Sequence, residues 1–445
     1  MTNSLLAAGA LLLGFAIFDH ASSQPSARGP KQWDWVGIIG TGQSLSVGAR
    51  AWPALSTSQP FGNLRLYTGD LAFPILADDP KLKMVPLVEP AGRQAPNYPS
   101  SWPENIDGET PHTAAANEIS ALAVQRKLPP IVTVHSVVGE DGQGIVYLKK
   151  GAIHHGINGR SFEGAMIETT AITRLAKAAG KTYGIGAIFV THGESDCGNP
   201  KYGEELMQLA LDYDRDIKLI TGQTRDVLMI ASQQNSVMDD APSTTTQWEL
   251  GVRYADRFVC SGPKYQYPYV ADAVHLTAVG YQELGEKYGQ VFFERSILGR
   301  PWKPLEPVAI RRLGKSIQVE FHVPVGKLQW AGEMGTPHAQ IAEWAAGKGF
   351  ELRDKVGAKL AIASVEIARN GRSVTIEGAS EVPEGAVLSY AMIADSASRQ
   401  TPNPGTKRWG LLRDSDPFVG YTTHIPQPNY CVAFKLPIDP QPAKG

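Results

Sequence analysis

The chain has 445 residues, a formal net charge of −2 and 42% hydrophobic residues, as is usual for a globular protein. This length predicts two or three domains with sizeable cores. The near-neutral charge, with no block of basic residues, argues against nucleic acid or an anionic membrane surface as a partner. Three cysteines are too few for a disulfide-built fold, although one bridge and one free thiol could form.

Residues 1–30 differ in character from the rest of the chain. The apolar run 5–18 has the length found in secretory signal peptides, and small and polar residues follow it. It is too short to span a bilayer comfortably, so we expect no integral membrane span in the mature chain. Residues 1–4 carry no lysine or arginine, which leaves an uncleaved anchor or a buried segment as alternatives. The pattern predicts a secreted or periplasmic protein.

The apolar run 36–40 predicts a buried parallel strand that ends in a sharp glycine turn. Ser44 follows in the sequence Gly-Thr-Gly-Gln-Ser, at the carboxyl end of the strand, where a helix would begin. Such a position exposes the hydroxyl, and it makes the Ser44 N–H a candidate oxyanion donor because the first N–H groups of a helix lack internal partners. The simpler alternative is a serine that only caps a helix.

Two phosphate-binding motifs compete for the same glycines. Residues 37–44 are one residue away from a P-loop, but Gln43 stands where the phosphate-binding lysine would be. A dinucleotide fingerprint could begin at Gly40, but Leu45 occupies its third glycine position. We therefore expect no nucleotide cofactor.

Further along the chain, a loop-rich stretch at 53–111 precedes a predicted helix at 113–127 and a strand at 130–138. The strand leads into the glycine-rich loop 139–144. A second strand, 183–190, runs directly into the sequence Thr-His-Gly-Glu-Ser-Asp at 191–196.

The third segment of interest is Asp272-x-x-His275, just before a predicted helix that Thr277 could cap. This spacing lets the carboxylate reach one imidazole nitrogen and leaves the other nitrogen facing outward. A serine becomes a nucleophile at neutral pH when such an oriented base removes its proton. Ser44, His275 and Asp272 are therefore the predicted catalytic residues.

Three blocks of the chain, in this order, resemble the SGNH hydrolase superfamily and specifically its sialate and plant-type carbohydrate O-acetylesterases. The blocks span residues 36 to about 295 and are Gly42-Gln43-Ser44, Gly193-Glu194-Ser195-Asp196 and Asp272-x-x-His275. The resemblance implies an α/β fold, with a three-layer α/β/α, flavodoxin-like catalytic domain. It also implies a serine esterase that acts on O-acetylated carbohydrate without a cofactor.

The chain departs from the family pattern at two places. Leu45 follows the nucleophile where the family has asparagine, and His192 replaces the glutamine that is a proposed oxyanion donor in the relatives. His192 is therefore the matching candidate, the alternative being a hydrogen-bonded structural residue. The predicted further donor is Gly139, the first residue after the strand, because glycine lets the backbone approach an acyl oxygen. Gly142 and an ordinary glycine turn stay open.

The pattern changes after the proline-rich linker 301–307. Segments 316–323 and 373–377 alternate apolar with polar residues, which predicts a β-sandwich. We therefore divide the chain into a leader (1–30), an esterase domain (31–300) and a C-terminal β-rich domain (301–445). The last domain loosely resembles the terminal domain of sialate O-acetylesterases, and either glycan binding or structural support is open.

The predicted function is hydrolysis of acetyl esters on carbohydrate. The alternatives are an esterase of another short acyl substrate and a silent glycan-binding protein in which Ser44 and His275 lie too far apart to react. Trp52, Tyr98 and Trp102 could stack on sugar rings or simply pack. No metal is expected, because His154-His155 lacks companion ligands at a recognisable spacing. The oligomeric state is not predicted.

Overall fold

A computed structural model describes most of the chain, namely residues 33–68, 75–92, 108–154, 157–158, 160–235, 241–332, 342–392 and 409–440. The predicted leader 1–30, together with Tyr98, Trp102 and His155, lies outside the described residues. Within those ranges, no helix is long and apolar enough to cross a membrane.

The first part of the chain contains one large sheet. The strands of this part are β1 (Trp35–Gly42), β2 (Leu64–Tyr67), β3 (Lys83–Pro86), β4 (Val132–Val137), β5 (Ile153–His154), β6 (Ile157–Asn158), β7 (Tyr183–Thr191), β8 (Leu228–Ala231) and β9 (Phe258–Cys260). Strands β5 and β6 form a separate pair, and the other seven form the large sheet. The seven strands of the sheet have the order β3-β2-β4-β1-β7-β8-β9. All neighbours are parallel except β2 and β3. The order β4-β1-β7-β8-β9 is that of a doubly wound sheet.

Helices cover both faces of this sheet. They are α1 (Pro111–Gln125), α2 (Arg160–Ala178), α3 (Tyr202–Thr221), α4 (Pro242–Arg253) and α5 (Ala278–Phe292), with one-turn helices at Ser44–Ser46 and Ile145–Tyr147 and a π-helical turn at Phe293–Ile297. Ile38 packs in the core beneath α1 and α5, and its neighbour Ile39 packs in the core beneath α2, α3 and α4. A strand buried on both faces explains the continuous apolar run 36–40.

Local sequence signals set the helix ends. Thr277 caps α5 as predicted, since its hydroxyl accepts the Gly280 N–H at 3.1 Å. At α1, Thr110 is the cap, and Pro111 occupies the first turn, where its missing N–H has no effect. This helix therefore begins two residues before the predicted 113–127. Helix α3 ends at Gly222, whose φ of +71° is the left-handed conformation that favours glycine.

The C-terminal part is mostly β-structure, as the alternating segments predicted. Its elements are β10 (Glu306–Leu313), β11 (Ser316–His322), β12 (Gln329–Trp330), α6 (Ala342–Gly347), β13 (Phe350–Arg353), β14 (Lys359–Leu360), β15 (Ile362–Ile367), β16 (Ser373–Gly378), β17 (Val387–Tyr390), β18 (Leu412–Arg413), β19 (Phe434–Pro437) and β20 (Asp439–Pro440). Two sheets, β15-β16-β11-β10-β20 and β14-β13-β17-β19, share one core in which Val319 and Ile376 of the first lie with Phe350 and Leu388 of the second. This arrangement is consistent with a sandwich.

The two parts are joined along an extensive seam. Trp248 and Tyr265 of the first part belong to the core of the C-terminal sheets. The Tyr265 hydroxyl donates to the Cys431 carbonyl at 2.6 Å, and the Gln233 amide forms two hydrogen bonds with the backbone of Ala433, at 2.9 and 2.8 Å. Gln233 lies only two residues beyond the end of β8, close to the sheet edge that carries Ser44.

Candidate active site

The turn that carries Ser44 is fixed by its neighbours. Gly42 has a φ of +137°, and a Cβ there would lie 2.2 Å from the carbonyl oxygen of Thr191, so this position requires glycine. Ser44 begins the following one-turn helix and is 3% exposed. The side-chain oxygen of Gln43 accepts the Ser195 N–H at 3.0 Å. The turn is thereby tied to the loop that follows β7.

A chain of hydrogen bonds joins three predicted residues. Nε2 of His275 lies 2.9 Å from Oγ of Ser44, and Nδ1 of the same ring lies 2.7 Å from Oδ2 of Asp272. The other oxygen of Asp272 accepts the backbone N–H groups of Val274 and His275, at 2.8 and 2.9 Å. The structure therefore brings Ser44, His275 and Asp272 together.

The ionisation of Asp272 sets the tautomer of His275. Partial burial acts to raise the pKa of Asp272, but the hydrogen bonds from the His275 ring and from two backbone N–H groups outweigh it and lower this pKa to about 2. An ionised carboxylate can only accept, so we assign the ring proton to Nδ1. The lone pair of Nε2 then faces the Ser44 hydroxyl, as a general base requires.

The position of these residues follows from the topology. Ser44 follows β1, and the segment 192–195 follows the adjacent parallel strand β7. In doubly wound sheets, a crevice forms outside the carboxyl ends of the strands at the point where the strand order reverses. His275 reaches this crevice from the loop between β9 and α5.

A cavity of about 300 Å³ opens in front of Ser44. Its lining includes Ser44, Arg50, Asp141, Gly142, Glu194 and His275. This volume is at the small end of the range for ligand sites. It suits a short acyl group together with part of the attached alcohol.

A buried ion pair supports one wall of this cavity. Oε1 of Glu194 lies 2.7 Å from Nζ of Lys264, and both side chains are almost fully buried. Burial acts to raise the pKa of Glu194, but the charge and hydrogen bond of Lys264 outweigh it and lower this pKa. Glu194 therefore remains ionised and holds the loop after β7 against the loop that contains Lys264.

Gly139 is buried and is not part of the cavity lining. A Cβ on Gly139 would lie 1.9 Å from Oγ of Ser46, which explains why this position is glycine. The N–H groups on either side of it, those of Val138 and Glu140, donate to β1 carbonyls at 2.9 Å. Because N–H directions alternate along an extended chain, the Gly139 N–H points away from β1. The alternative, Gly142, does line the cavity.

The structure does not bring the His192 imidazole into the cavity. The ring is buried, with Nε2 at 3.0 Å from the Gln143 carbonyl and Nδ1 at 3.1 Å from the Tyr202 hydroxyl. Burial lowers the pKa of His192, so the ring has one proton, which Nε2 donates to the Gln143 carbonyl. This geometry favours the structural alternative, in which His192 holds the loop 139–144.

Two charged residues of the cavity lining, Arg50 and Asp141, were not among the predicted site residues. Neither belongs to a recognised block, although Asp141 lies in the glycine-rich loop that had been selected for its glycines. Trp52, a candidate for sugar stacking, is 68% exposed and is not part of the cavity lining. In the part of the chain that the structure describes, no three His, Cys, Asp or Glu side chains are grouped to hold a metal ion.

Comparisons with known proteins bear on the fold. No protein-family model and no curated protein matches the sequence. A carbohydrate acetylesterase from Xanthomonas citri is structurally similar, with 13% identity and a TM-score of 0.55, over 90% of this chain and 80% of that one. A protein from Arabidopsis thaliana matches at 17% identity and a TM-score of 0.44, over 60% and 100% of the two chains. NanS matches at 10% identity and a TM-score of 0.40, over 58% and 97%.

These similarities lie far below the identity at which activity can be transferred. The first of them extends over most of both chains and supports the fold described above, an α/β region with a parallel central sheet followed by antiparallel sheets. Any assignment of chemistry must therefore come from the site itself.

Proposed function

We propose that this protein is a serine esterase of the SGNH type that removes O-acetyl groups from carbohydrate. The observation that carries the proposal is the hydrogen-bonded series Asp272, His275 and Ser44, with distances of 2.7 and 2.9 Å. The series lies at the mouth of a small cavity, at the switch point of a doubly wound sheet. A silent protein with Ser44 and His275 far apart does not fit this distance.

In the proposed mechanism, Nε2 of His275 removes the Ser44 proton as the hydroxyl attacks the ester carbonyl. Asp272 holds the ring and stabilises the imidazolium that forms. The N–H groups of Ser44 and Gly142 are the proposed donors to the tetrahedral oxyanion. His275 then protonates the departing alcohol, and water, activated by the same ring, releases acetate from the acyl-enzyme.

The carbohydrate part of the proposal has weaker support. It rests on the three sequence blocks and on the fold shared with a carbohydrate acetylesterase. We also propose that the chain is exported, that residues 31–300 carry the activity and that residues 301–445 form a separate β-domain.

The decisive experiment measures acetate release from a panel of acetylated oligosaccharides and from small acetyl esters, with and without a chelator. We expect release from acetylated carbohydrate, unaffected by the chelator because protein groups supply every assigned role. A preference for small acetyl esters over every acetylated sugar would favour the second candidate, an esterase of another short acyl substrate. A folded protein that hydrolyses none of them would refute the esterase assignment.

A further inference from the structure

The glutamine next to the nucleophile, Gln43, has no role in the proposed mechanism. It lines the cavity together with Ser44, although it is only 3% exposed. Its side-chain oxygen, Oε1, accepts the Ser195 N–H at 3.0 Å. Because a backbone N–H can only donate, this contact fixes which end of the amide is oxygen and which end is nitrogen. The fold therefore sets the orientation of the amide group.

The nitrogen of this amide, Nε2, is a donor that the protein leaves unused. Within the described part of the chain it forms no hydrogen bond, and other atoms do not enclose it. Buried amides normally have their polar atoms paired, because an unpaired donor loses its hydrogen bond to water. Since Gln43 belongs to the cavity lining, the open side of Nε2 is the cavity. An acceptor on the substrate would complete the pairing.

The acceptor best placed for this group is the oxyanion that forms when Ser44 attacks the ester. The Ser46 N–H donates to the Gln43 carbonyl at 2.7 Å, whereas the Ser44 N–H has no acceptor among the described residues. The Ser44 N–H is therefore available to the oxyanion, and the Gln43 amide belongs to the adjacent residue. The His192 ring donates to the Gln143 carbonyl instead and offers no donor to the cavity.

We propose that Gln43 is a further catalytic residue, whose Nε2 donates to the oxyanion of the tetrahedral intermediate beside the Ser44 N–H. The negative oxygen is a stronger acceptor than the ester carbonyl, so this hydrogen bond stabilises the transition state more than the bound substrate. The Ser195 N–H holds the amide in place before the reaction, which avoids reorganisation during it. The inference rests on the proposed function, because it requires Ser44 to be the nucleophile.

The test uses the two ends of the amide. Gln43→Glu keeps an oxygen for the Ser195 N–H but replaces the donor with a second carboxylate oxygen. At pH 8, where glutamate is ionised, we expect kcat on an acetyl ester to fall about 10²- to 10³-fold or more with KM nearly unchanged, since one oxyanion donor is lost. Gln43→Met, which has a similar volume and neither polar atom, should lose about 10²- to 10³-fold in kcat.

Gln125→Glu is the matched control, because it adds the same charge at an exposed position, the last residue of α1. Its kinetics should equal those of the wild type. Binding of methylboronic acid provides a second measurement, since this compound forms a tetrahedral anion on a nucleophilic serine. Its affinity for Gln43→Met should fall by a factor similar to the loss in kcat.

The opposite results would assign Gln43 to structure alone. If it only ties the turn to the loop after β7, Gln43→Glu keeps the tie and its activity, and this outcome would overturn the inference while the esterase proposal stands. Full activity in Gln43→Met would also overturn it, because the loss in Gln43→Glu would then come from the added charge. Thermal melts show whether each variant is folded. If Gln43→Glu unfolds, Gln43→Met decides, because a loosened cavity wall raises KM, whereas loss of an oxyanion donor lowers kcat. A folded wild type that hydrolyses no acetyl ester would refute the proposed function itself, and the inference with it.

Discussion

Among single residues, Ser44 and Ser46 differ sharply although they share one helical turn. The Ser44 hydroxyl faces His275, and the Ser46 hydroxyl donates to the Gln43 carbonyl at 2.7 Å. Both side chains are buried and of the same size. A comparison of substitutions at the two serines therefore distinguishes a role in the reaction from a role in packing the turn.

We predict that Ser44→Ala lowers kcat on an acetyl ester by a factor on the order of 10⁶, as in other serine hydrolases, with an unchanged melting temperature. Ser46→Ala should retain most activity, because it removes one hydrogen bond that supports the turn. Steady-state kinetics and thermal melts of both variants provide the measurement. Comparable losses in the two variants would show that Ser44 matters for the turn rather than for the reaction.

Asp272 should make no contribution to the pH profile of the reaction near neutrality. Because the pKa of Asp272 is lowered to about 2, this carboxylate stays ionised throughout the neutral and mildly acidic range. Protonation of Asp272 should then cause no loss of kcat/KM in that range. His275→Ala should be nearly as damaging as Ser44→Ala.

His192→Gln and His192→Ala should lose activity through the loop that His192 holds, and both should keep the loss of activity at acidic pH that the wild type shows. An acid limb that requires two protons would contradict these assignments.

The grouping of Ser44, Asp272 and His275 could be predicted from the sequence because each residue lies in a short block with a recognisable local context. The role of His192 could not, since its ring contacts a carbonyl 49 positions away in the sequence. Asp141 was missed for a similar reason. Its place in the cavity lining depends on how the loop 139–144 meets the turn that carries Ser44, and no local pattern encodes that arrangement.

At the scale of elements, the turn after β1 depends on close backbone contact. Gly42 combines a positive φ with a Cβ position only 2.2 Å from a backbone oxygen. Gly62 also has a positive φ, of +79°, but a Cβ there would meet nothing within 4 Å. Alanine substitution at Gly62 adds backbone strain alone, whereas alanine substitution at Gly42 adds both backbone strain and steric crowding.

We predict that Gly42→Ala abolishes most esterase activity, because the shift needed to clear the β7 carbonyl moves Ser44 away from His275. Its destabilisation should exceed that of Gly62→Ala, for which about 1 kcal/mol of backbone strain is expected. Urea unfolding and kcat measurements on both variants provide the comparison. An active Gly42→Ala protein, no less stable than Gly62→Ala, would contradict the close packing of β1 against β7.

Helix α1 also carries a buried acid at the seam. Burial raises the pKa of Glu118 to about 7, although its carboxylate accepts the Tyr421 N–H at 2.8 Å. In the unfolded chain a glutamate titrates near pH 4.3, so the folded protein binds this proton more tightly. The contribution of Glu118 is therefore most favourable at low pH and is lost as pH rises through about 7, by up to about 3 kcal/mol.

We predict that Glu118→Gln stabilises the protein at pH 8 relative to wild type and has little effect at pH 4, since the neutral amide avoids the buried charge. Glu249→Gln, which changes an exposed residue of α4, serves as the control and should show no such pH dependence. Denaturant unfolding at several pH values provides the free energies. If the free energies of unfolding of the wild type and Glu118→Gln change with pH in parallel, the buried charge of Glu118 is well compensated in the folded protein.

The main strands and helices were predictable because their periodicity and caps are local, as for α5 and the alternating strands β11 and β16. The pair β2 and β3 was not predicted, since these short strands lie within a stretch rich in proline and glycine. The seam contacts were also not predicted. Glu118 and Tyr421 are 303 residues apart, and neither residue type indicates a partner at such a distance.

At the scale of the whole molecule, the C-terminal β-rich part of the chain shares a core and hydrogen bonds with the first part. Trp248 and Tyr265 pack into its core, and the Trp248 indole donates to Glu306 at 2.6 Å. We predict that a chain ending at residue 300 is aggregation-prone and inactive, because truncation exposes these aromatic side chains and releases Gln233. Light scattering and esterase assays of the truncated and full chains test this. A monomeric, active truncated protein would show that the β-domain is dispensable.

Cys260 of β9 and Cys431 of the β-domain are both buried free thiols. Burial raises the pKa of Cys260 to about 12, so its sulfur stays protonated and unreactive. Among the described residues, no disulfide therefore links the two halves of the molecule. If the protein works outside the cell, its lifetime there depends on how slowly the seam opens. The survival of the folded protein is then set by an unfolding rate. Each transient opening exposes the thiols of Cys260 and Cys431, and their oxidation would hold the protein in the open state.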